Sequence, residues 1–294
     1  MKRTLSRLSA LLLLGTLAVS CSKDTIAPAP DPMASQTADA TATRDNNLAM
    51  GNPSGAVANS ANYWNYLVTK SQYTMSYHRD RGTPNWVSWH LSSAWLGSTP
   101  RQDNFGPDNG LPSGWYRVTS TSYTGSGFDR GHNCPSADRT GSVADNSATF
   151  LMSNMIPQAP NNNQRTWASL ENYCRTLVDA GNELYIIMGS YGKGGTGSAG
   201  YATTLDAGRV TVPARVWKVI VVMPNGTGDA SRVTTSTRVI AVNTPNDNSL
   251  STTWGSYRTT VDAIEQATGY DILSAVSTTV QSTIEARVDS GPTS

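Results

Sequence analysis

Short runs of large apolar and aromatic residues recur along the 294-residue chain, separated by clusters of Gly, Pro, Asn and Asp. Runs of this kind, rich in Tyr, Trp, Val and Ile, are typical of β-strands. The clearest predicted strands are Tyr63–Val68, Tyr73–Tyr77, Trp86–Leu91, Leu184–Met188 and Arg215–Met223. Strands therefore account for most of the regular structure that the pattern predicts.

Helical patterns are fewer. Three helices are predicted: Asn163–Ala180 with Gly181 as its stop, Thr260–Thr268 ended by Gly269, and Val280–Arg287. Thr259 with Asp262 fits a capping box at the start of the second helix. Many strands interrupted by a few helices favour an α+β fold, with a mostly antiparallel sheet core and a few flanking helices, over a regular βαβ alternation.

The N-terminus has the pattern of a secretory signal. Lys2, Arg3 and Arg7 precede or border the apolar run Leu8–Leu14, and small residues follow it. The run is much shorter than the roughly 20 residues that a transmembrane helix needs. Residues 1–20 are therefore predicted to be a signal peptide, and the protein is expected to be exported, as a periplasmic, membrane-tethered or extracellular protein.

Cys21 follows Ala18-Val19-Ser20, which resembles a bacterial lipobox in relaxed form. The resemblance implies that Cys21 is lipidated and that the lipid alone anchors the chain to a membrane. Ordinary cleavage near the same place, without a lipid, is the alternative. The following residues, up to about Ser60, contain almost nothing large and apolar, so residues 21–60 are predicted to be a flexible tether. Residues 61–289 are predicted to form a single domain.

Net charge does not point to a polyanionic ligand. The whole chain has a formal charge of +1, and the part without Lys2, Arg3 and Arg7 has 19 basic and 21 acidic residues, a net of −2. Any surface that binds phosphate groups must therefore be a local cluster of arginines.

Of the three histidines, His132 has the setting of a catalytic residue. His78 and His90 lie inside aromatic-rich, strand-like runs, where a structural role is expected. His132 instead follows Asp129-Arg130-Gly131 and precedes a loop, and loops held by a scaffold are where catalytic side chains usually lie.

The Asn163–Ala180 helix is amphipathic. A helical wheel at about 100° per residue gives one apolar stripe, which contains Trp167, Leu170, Cys174, Leu177 and Val178. Asn163, Glu171 and Arg175 border this stripe. Glu171 and Arg175 fit an ordinary surface salt bridge, but an amide, a carboxylate and a guanidinium at the edge of a core also fit a site for an ion and a phosphate.

These segments together resemble the DNA/RNA non-specific endonuclease family, the ββα-metal or His-Me finger nucleases. The resemblance covers most of residues 65–275 and is carried by Asp129-Arg130-Gly131-His132, by Asn163, Trp167, Glu171 and Arg175 on one helix, and by Pro157-Gln158, Pro213–Val219, Ile264-Glu265 and Thr268–Asp271. It implies a metal-dependent, sugar-non-specific endonuclease that hydrolyses DNA and RNA to products with 5′ phosphates.

The resemblance also implies roles for individual residues. His132 would be the general base, and Asn163 the only direct protein ligand of a Mg²⁺ ion, with Mn²⁺ or another divalent ion as alternatives. Glu171 would hold water bound to the ion, and Asn154 would support the same water shell. With an ordinary pKa near 6.5, His132 would lose its competence as a base in acid.

Arginines are expected to face the phosphate, because guanidinium groups make paired hydrogen bonds to phosphate oxygens. Arg175 and Arg101 are the candidates that the family pattern implies, and Arg130 is a further one that fits a structural brace equally well. Asp129 either orients His132 or pairs with Arg130.

Besides Cys21 the chain has two cysteines, Cys134 and Cys174. In an oxidising compartment the pair would form a disulfide that staples the catalytic helix to the His132 loop. Two buried free thiols are the alternative.

Two other functions are compatible with the sequence. One is a narrower phosphodiesterase on the same scaffold. The other is a catalytically silent surface lipoprotein that binds a polymer through its Trp- and Tyr-rich strands.

Overall fold

The structure, a computed structural model, describes residues 41–294. The predicted signal peptide, the lipidation of Cys21 and tether residues 21–40 lie outside the described residues. Within residues 41–294, no helix combines the length and the apolar character needed to cross a membrane.

Thirteen strands and five α-helices form the described part of the chain. The strands are β1 Tyr66–Thr69, β2 Thr74–His78, β3 Thr83–Leu91, β4 Asp129–His132, β5 Met155–Gln158, β6 Asn182–Tyr191, β7 Gly195–Gly197, β8 Gly200–Ala202, β9 Thr204–Leu205, β10 Val210–Thr211, β11 Arg215–Pro224, β12 Arg238–Pro245 and β13 Arg258–Thr259. The helices are α1 Val143–Ala148, α2 Ala168–Asp179, α3 Asp229–Arg232, α4 Val261–Thr268 and α5 Thr278–Ile284. A π-helical turn, Asn162–Trp167, leads directly into α2.

Seven strands form one antiparallel sheet in the order β1-β2-β3-β6-β11-β12-β13. Three small two-stranded antiparallel pairs, β4 with β5, β7 with β8 and β9 with β10, lie outside it. This arrangement confirms the predicted α+β class, and each predicted strand overlaps an observed strand of the large sheet.

Both faces of the large sheet are buried, because a layer covers each one. Alternate residues of the central strands point to opposite faces. One face packs against α2 and includes Trp89, Ile186, Ile220, Leu170 and Val178. The other packs against α4 and α5 and includes Trp86, Ile187, Val219, Ile264 and Ile284. Two covered faces explain why the central strands appear in the sequence as continuous apolar runs.

The three predicted helices are present with different bounds. The third, predicted at Val280–Arg287, runs from Thr278 to Ile284, and the first two differ at their starts. Residues 162–167 at the start of the first helix form a π-helical turn rather than an α-helix. The second helix is capped by Thr260, whose hydroxyl accepts a hydrogen bond from the Ala263 N–H at 3.1 Å, so the predicted capping box of Thr259 and Asp262 is wrong by one residue. Gly269 ends this helix in the left-handed conformation, as predicted, with φ at 74°.

The predicted boundary between tether and domain at residue 60 needs correction. Met50 and Ala56 are almost fully buried in the core under α4 and α5. The Asn47 side chain is also buried: its amide donates to the Ser71 carbonyl at 3.0 Å and accepts from the His90 N–H at 3.1 Å. The partly buried Leu48 and Ala49 pack against the same core. Few of the apolar side chains in this segment are large, so its composition alone could not reveal that it belongs to the fold.

Candidate active site

The β4–β5 pair and the helix that follows it form a ββα unit. The strands are antiparallel, with Asp129 opposite Gln158 and His132 opposite Met155. Gly131 is required by the packing of this pair, because a Cβ atom there would lie 2.3 Å from Oε1 and 2.6 Å from Cβ of Gln158. The backbone of β4 can therefore approach the Gln158 side chain only at a glycine.

Asp129 connects β4 to the π-helical turn. Its Oδ2 accepts hydrogen bonds from the side-chain amides of Asn163 at 2.8 Å and Gln164 at 2.9 Å. Two consecutive residues thus reach the same carboxylate. Because the Asn163 nitrogen is bonded to Asp129, its amide oxygen is the atom left to bind a cation.

His132 is half-buried against two phenylalanine rings that also contact each other, with their centroids 4.9 Å apart. The ring centroids of Phe105 and Phe150 lie 5.5 and 5.1 Å from the imidazole, both in edge-to-face geometry. Nε2 is buried and has no hydrogen-bond partner. Burial, with smaller contributions from the positive charges of Arg101 and Arg130, lowers the pKa of His132 to about 3. The imidazole is therefore neutral far into the acid range, whereas an unperturbed histidine would lose its neutral form near pH 6.5.

Two arginines, Arg130 and Arg101, lie over these same phenylalanine rings. The Arg130 guanidinium carbon lies 3.9 Å from the centroid of Phe105, and that of Arg101 lies 4.8 Å from the centroid of Phe150. Arg101 also donates to Asp103 at 2.6 Å and to the Ser136 hydroxyl at 2.9 Å. Arg130 has no hydrogen-bonded acceptor among the described residues, so its guanidinium is free to bind an anion.

A cleft of about 430 Å³ lies against these groups. Four residues selected from the sequence line it: Arg101, Asp129, Arg130 and Asn163. The other lining residues include Phe105, Tyr123, Phe128 and Gln164. His132 adjoins the cleft through Phe105, whereas Glu171 and Arg175 do not belong to its lining.

Glu171 and Arg175 do not pair with each other. Glu171 accepts from Lys218 Nζ at 3.3 Å, and Arg175 donates to Asp138 at 2.7 Å and to Asn172 at 2.6 Å. The simple i,i+4 surface salt bridge is therefore not formed. Burial raises the pKa of Glu171, and the Lys218 ammonium partly opposes that rise.

Lys218 and Asp138 are members of this site that the sequence analysis did not assign. Lys218 is fully buried on β11, with Nζ 5.5 Å from the centroid of Trp89 and 5.2 Å from that of Trp167. Asp138 is also buried and accepts a second hydrogen bond, from the Trp89 indole N–H at 3.0 Å. The sequence does contain an indication of the Lys218 contact, because this lysine lies inside the apolar run Arg215–Met223. An ammonium buried there needs a carboxylate partner.

Asn154 is held by the backbone around it. It is fully buried, and its amide oxygen accepts from the Cys134 N–H at 3.0 Å. Its amide nitrogen donates to the carbonyls of Cys134 and Thr149, both at 2.9 Å. The Asn154 side chain therefore braces the backbone after β4, and its support of a water shell around an ion stays a prediction.

Cys134 and Cys174 are both buried free thiols in the structure. They belong to the same hydrophobic core, and burial raises the pKa of each to about 12. The structure therefore corresponds to the second alternative drawn from the sequence, two buried thiols.

A second group of potential metal ligands, Asp45, His90 and Glu183, has a different explanation. His90 Nδ1 accepts from the Asp45 N–H at 3.2 Å, which leaves Nε2 to donate to Glu183 at 3.1 Å. Glu183 also pairs with Arg232. Both ring nitrogens are occupied, so His90 is structural, as the sequence predicted.

The ββα unit is the motif that the resemblance to the ββα-metal nucleases implied, and the family comparison assigns the chain to that class. The family model of the DNA/RNA non-specific endonucleases matches residues 51–279, and the chain belongs to this family. It is therefore a DNA/RNA endonuclease, and the catalytically silent alternative is set aside.

Individual relatives are named as nucleases. A nuclease from Nostoc sp. (strain PCC 7120) is 51% identical over 242 residues, which cover 82% of this chain and 85% of that protein. Nuclease C1 from Cunninghamella echinulata var. echinulata is 34% identical over 54% of this chain and 66% of its own length. Human mitochondrial endonuclease G is 31% identical over 54% of this chain and 56% of its own length.

Among solved structures, a chain of the EndoG/EndoGI complex has a similar fold, with a TM-score of 0.62. The superposition covers 79% of this chain and 91% of that chain at 22% sequence identity. At this identity the likeness concerns the fold alone.

Proposed function

We propose that the protein hydrolyses phosphodiester bonds in both DNA and RNA with the help of Mg²⁺ and leaves 5′ phosphates. In this proposal His132 is the general base and Asn163 the direct protein ligand of the ion. The observation that carries it is the position of a neutral, half-buried imidazole beside a cleft that Asn163 and two arginines line.

His132 would take the proton from the attacking water. A general base must be deprotonated before the reaction, and the lowered pKa of His132 meets this condition at neutral pH. The two phenylalanine rings packed against the imidazole restrict it, so that it holds its orientation while it accepts the proton.

Arg130 and Arg101 would bind the scissile phosphate. Their guanidinium groups line the cleft, and the ring contacts position them without occupying all of their N–H donors. Arginine donors of this kind can pair with two phosphate oxygens at once. Contact with the phosphate rather than with base edges is what a cutter without sequence preference requires.

The residues present fit a single Mg²⁺ ion at Asn163. The Asp129 carboxylate holds the Asn163 amide nitrogen, which leaves the amide oxygen for the ion, and Mg²⁺ favours a few protein oxygens with water in the rest of its shell. The bound ion would polarise the phosphate and stabilise charge on the leaving 3′ oxygen. Glu171 would orient water near the ion, and Lys218 would keep that carboxylate in place.

Arg175 supports the site indirectly in this proposal. Its hydrogen bonds to Asp138 and Asn172 occupy N–H donors of its guanidinium. The phosphate contacts are therefore assigned to Arg101 and Arg130 rather than to Arg175. Arg175 would then maintain the position of α2 against the loop that follows β4.

The test is digestion of plasmid DNA and of single-stranded RNA by the purified protein, with Mg²⁺ or with EDTA, and with single substitutions. EDTA should abolish cleavage of both polymers. His132→Ala should reduce it by about 10²–10⁴-fold, the usual contribution of a general base. Product ends should accept a 5′ label from a polynucleotide kinase only after phosphatase treatment.

Asn163→Ala and Gln164→Ala form a matched pair, because each removes one amide that donates to Asp129. If Asn163 binds the ion, its variant should lose at least 100-fold activity and need more Mg²⁺, while the Gln164 variant loses much less. Equal losses would mean that Asn163 acts only through Asp129. Cleavage of small diesters without cleavage of either polymer would favour the narrower phosphodiesterase.

A further inference from the structure

Three carboxylates converge in the layer of helices on one face of the large sheet. Asp262 and Glu265 lie one turn apart on α4, and Glu285 follows the last residue of α5. One oxygen of each side chain lies within 4.8 Å of the others. The backbone also joins these two elements, since the Asp262 N–H donates to the Glu285 carbonyl at 3.2 Å.

Glu285 is the unusual member of this cluster. Only 6% of its surface is exposed, and its Oε1 is buried without a hydrogen-bond partner. An unpaired buried carboxylate oxygen is costly, and buried oxygens of this type normally have a donor or a cation beside them. The position therefore calls for a partner that the protein itself does not supply.

Neighbouring side chains add negative charge and no positive charge. Asp271 is a fourth carboxylate close enough to act on both Glu265 and Glu285. None of the four takes part in an ion pair within residues 41–294. Burial first, and then the surrounding carboxylates, raise the pKa of Glu285 to about 7.

We infer that Asp262, Glu265 and Glu285 bind a divalent cation of the calcium type, at a site separate from the catalytic one. Ca²⁺ binds 6–8 oxygens at about 2.3–2.6 Å, so two oxygens on opposite sides of the ion are about 5 Å apart. The observed spacing of at most 4.8 Å lets all three carboxylates share one ion.

Calcium fits this cluster better than magnesium. Mg²⁺ requires a nearly ideal octahedron and retains most of its water, whereas Ca²⁺ accepts several carboxylates in irregular geometry. Glu265 Oε1 already accepts from the Ile272 N–H at 2.7 Å, so its carboxylate is fixed in place. The bound ion would tie α4 to the chain that follows α5 and would stabilise the fold without entering the reaction.

The test separates this site from the catalytic one by working in the Asn163→Ala background, which removes the proposed catalytic ligand. Calorimetric titration of that protein with CaCl₂ at pH 7.5 should show one bound ion. Adding Glu285→Gln should weaken binding at least tenfold, and Ca²⁺ should then no longer raise the Tm. Asp262→Asn should weaken binding in the same way. Because Asp262 is exposed, this variant should fold normally and still test the site if the Glu285 variant misfolds.

Asp179→Asn is the matched control, because Asp179 is an exposed carboxylate at the end of α2 and its loss should leave calcium binding unchanged. The inference is overturned if the Asn163→Ala protein binds no Ca²⁺, or if Glu285→Gln and Asp262→Asn bind it as tightly as their parent. A Tm of the Asn163→Ala parent that Ca²⁺ does not raise would also overturn it, because Glu285 would then be a protonated acid. Nuclease activity of Glu285→Gln alone, in the presence of Mg²⁺, should equal that of the wild type, so failure here leaves the proposed function intact.

Discussion

Lys218 connects the hydrophobic core of the large sheet to Glu171 in the candidate active site. Its ammonium is buried between two indole rings, and Glu171 is its carboxylate partner. Removing one member of such a pair costs more than removing both, because an uncompensated charge stays in the interior. The pair therefore couples the stability of the sheet to the orientation of Glu171.

A double-mutant cycle would measure this coupling. We expect Glu171→Ala to lower the free energy of unfolding by about 3 kcal/mol, because it leaves Lys218 buried and unpaired. The double variant Glu171→Ala/Lys218→Met should recover part of that loss, since no buried charge remains. Urea unfolding of the four proteins gives the coupling energy, and strictly additive losses would contradict the pairing.

The depressed pKa of His132 predicts an unusual pH profile. The imidazole stays neutral between its ordinary pKa and about 3, so protonation of the base should not reduce kcat/KM of the free enzyme as the pH falls through 6.5. We expect any acid limb due to His132 to lie well below pH 6. The measurement is kcat/KM against pH at saturating Mg²⁺, with His78→Gln as a control outside the cleft. An acid limb centred near 6.5 would contradict the buried, neutral base.

At the level of elements, the π-helical turn is the feature that the periodicity missed. The wheel correctly predicted the apolar stripe of α2, because residues from Trp167 onward follow the α-helical repeat. It could not predict the directions of Asn163 and Gln164, since both lie within Asn162–Trp167, where the hydrogen-bond pattern differs. Turns of this type often occur at functional sites, and here the turn brings both amides to Asp129.

At the level of the whole molecule, the sequence allowed the α+β class, the strands and the group of cleft residues to be predicted, because strand periodicity and the family pattern are local properties. The order of the strands depends on contacts between distant segments. So do the partners of Glu171 and Arg175: Lys218 and Asp138 are 47 and 37 residues away along the chain. Export and lipidation of Cys21 stay predictions, since residues 1–40 lie outside the described part.

The corrected domain boundary can be tested by truncation. A protein that begins at residue 41 should unfold at the same temperature as the longer chain, but one that begins at residue 61 loses Met50, Ala56 and the Asn47 hydrogen bonds. Burial of one Met side chain alone is worth about 1.5–3 kcal/mol, so we expect the shorter protein to be destabilised by more than about 3 kcal/mol. Equal Tm values for the two truncations would restore the boundary at residue 60.

The two phenylalanines around His132 have a consequence for mutational tolerance. Phe105 packs against the imidazole in edge-to-face geometry and lies under the Arg130 guanidinium, and Phe150 does the same for the imidazole and Arg101. Each ring therefore holds two functional groups, although neither can carry a charge or transfer a proton. In a library of random substitutions screened for DNA hydrolysis, active clones should keep an aromatic residue at both positions, while exposed neighbours such as Gln164 vary more freely.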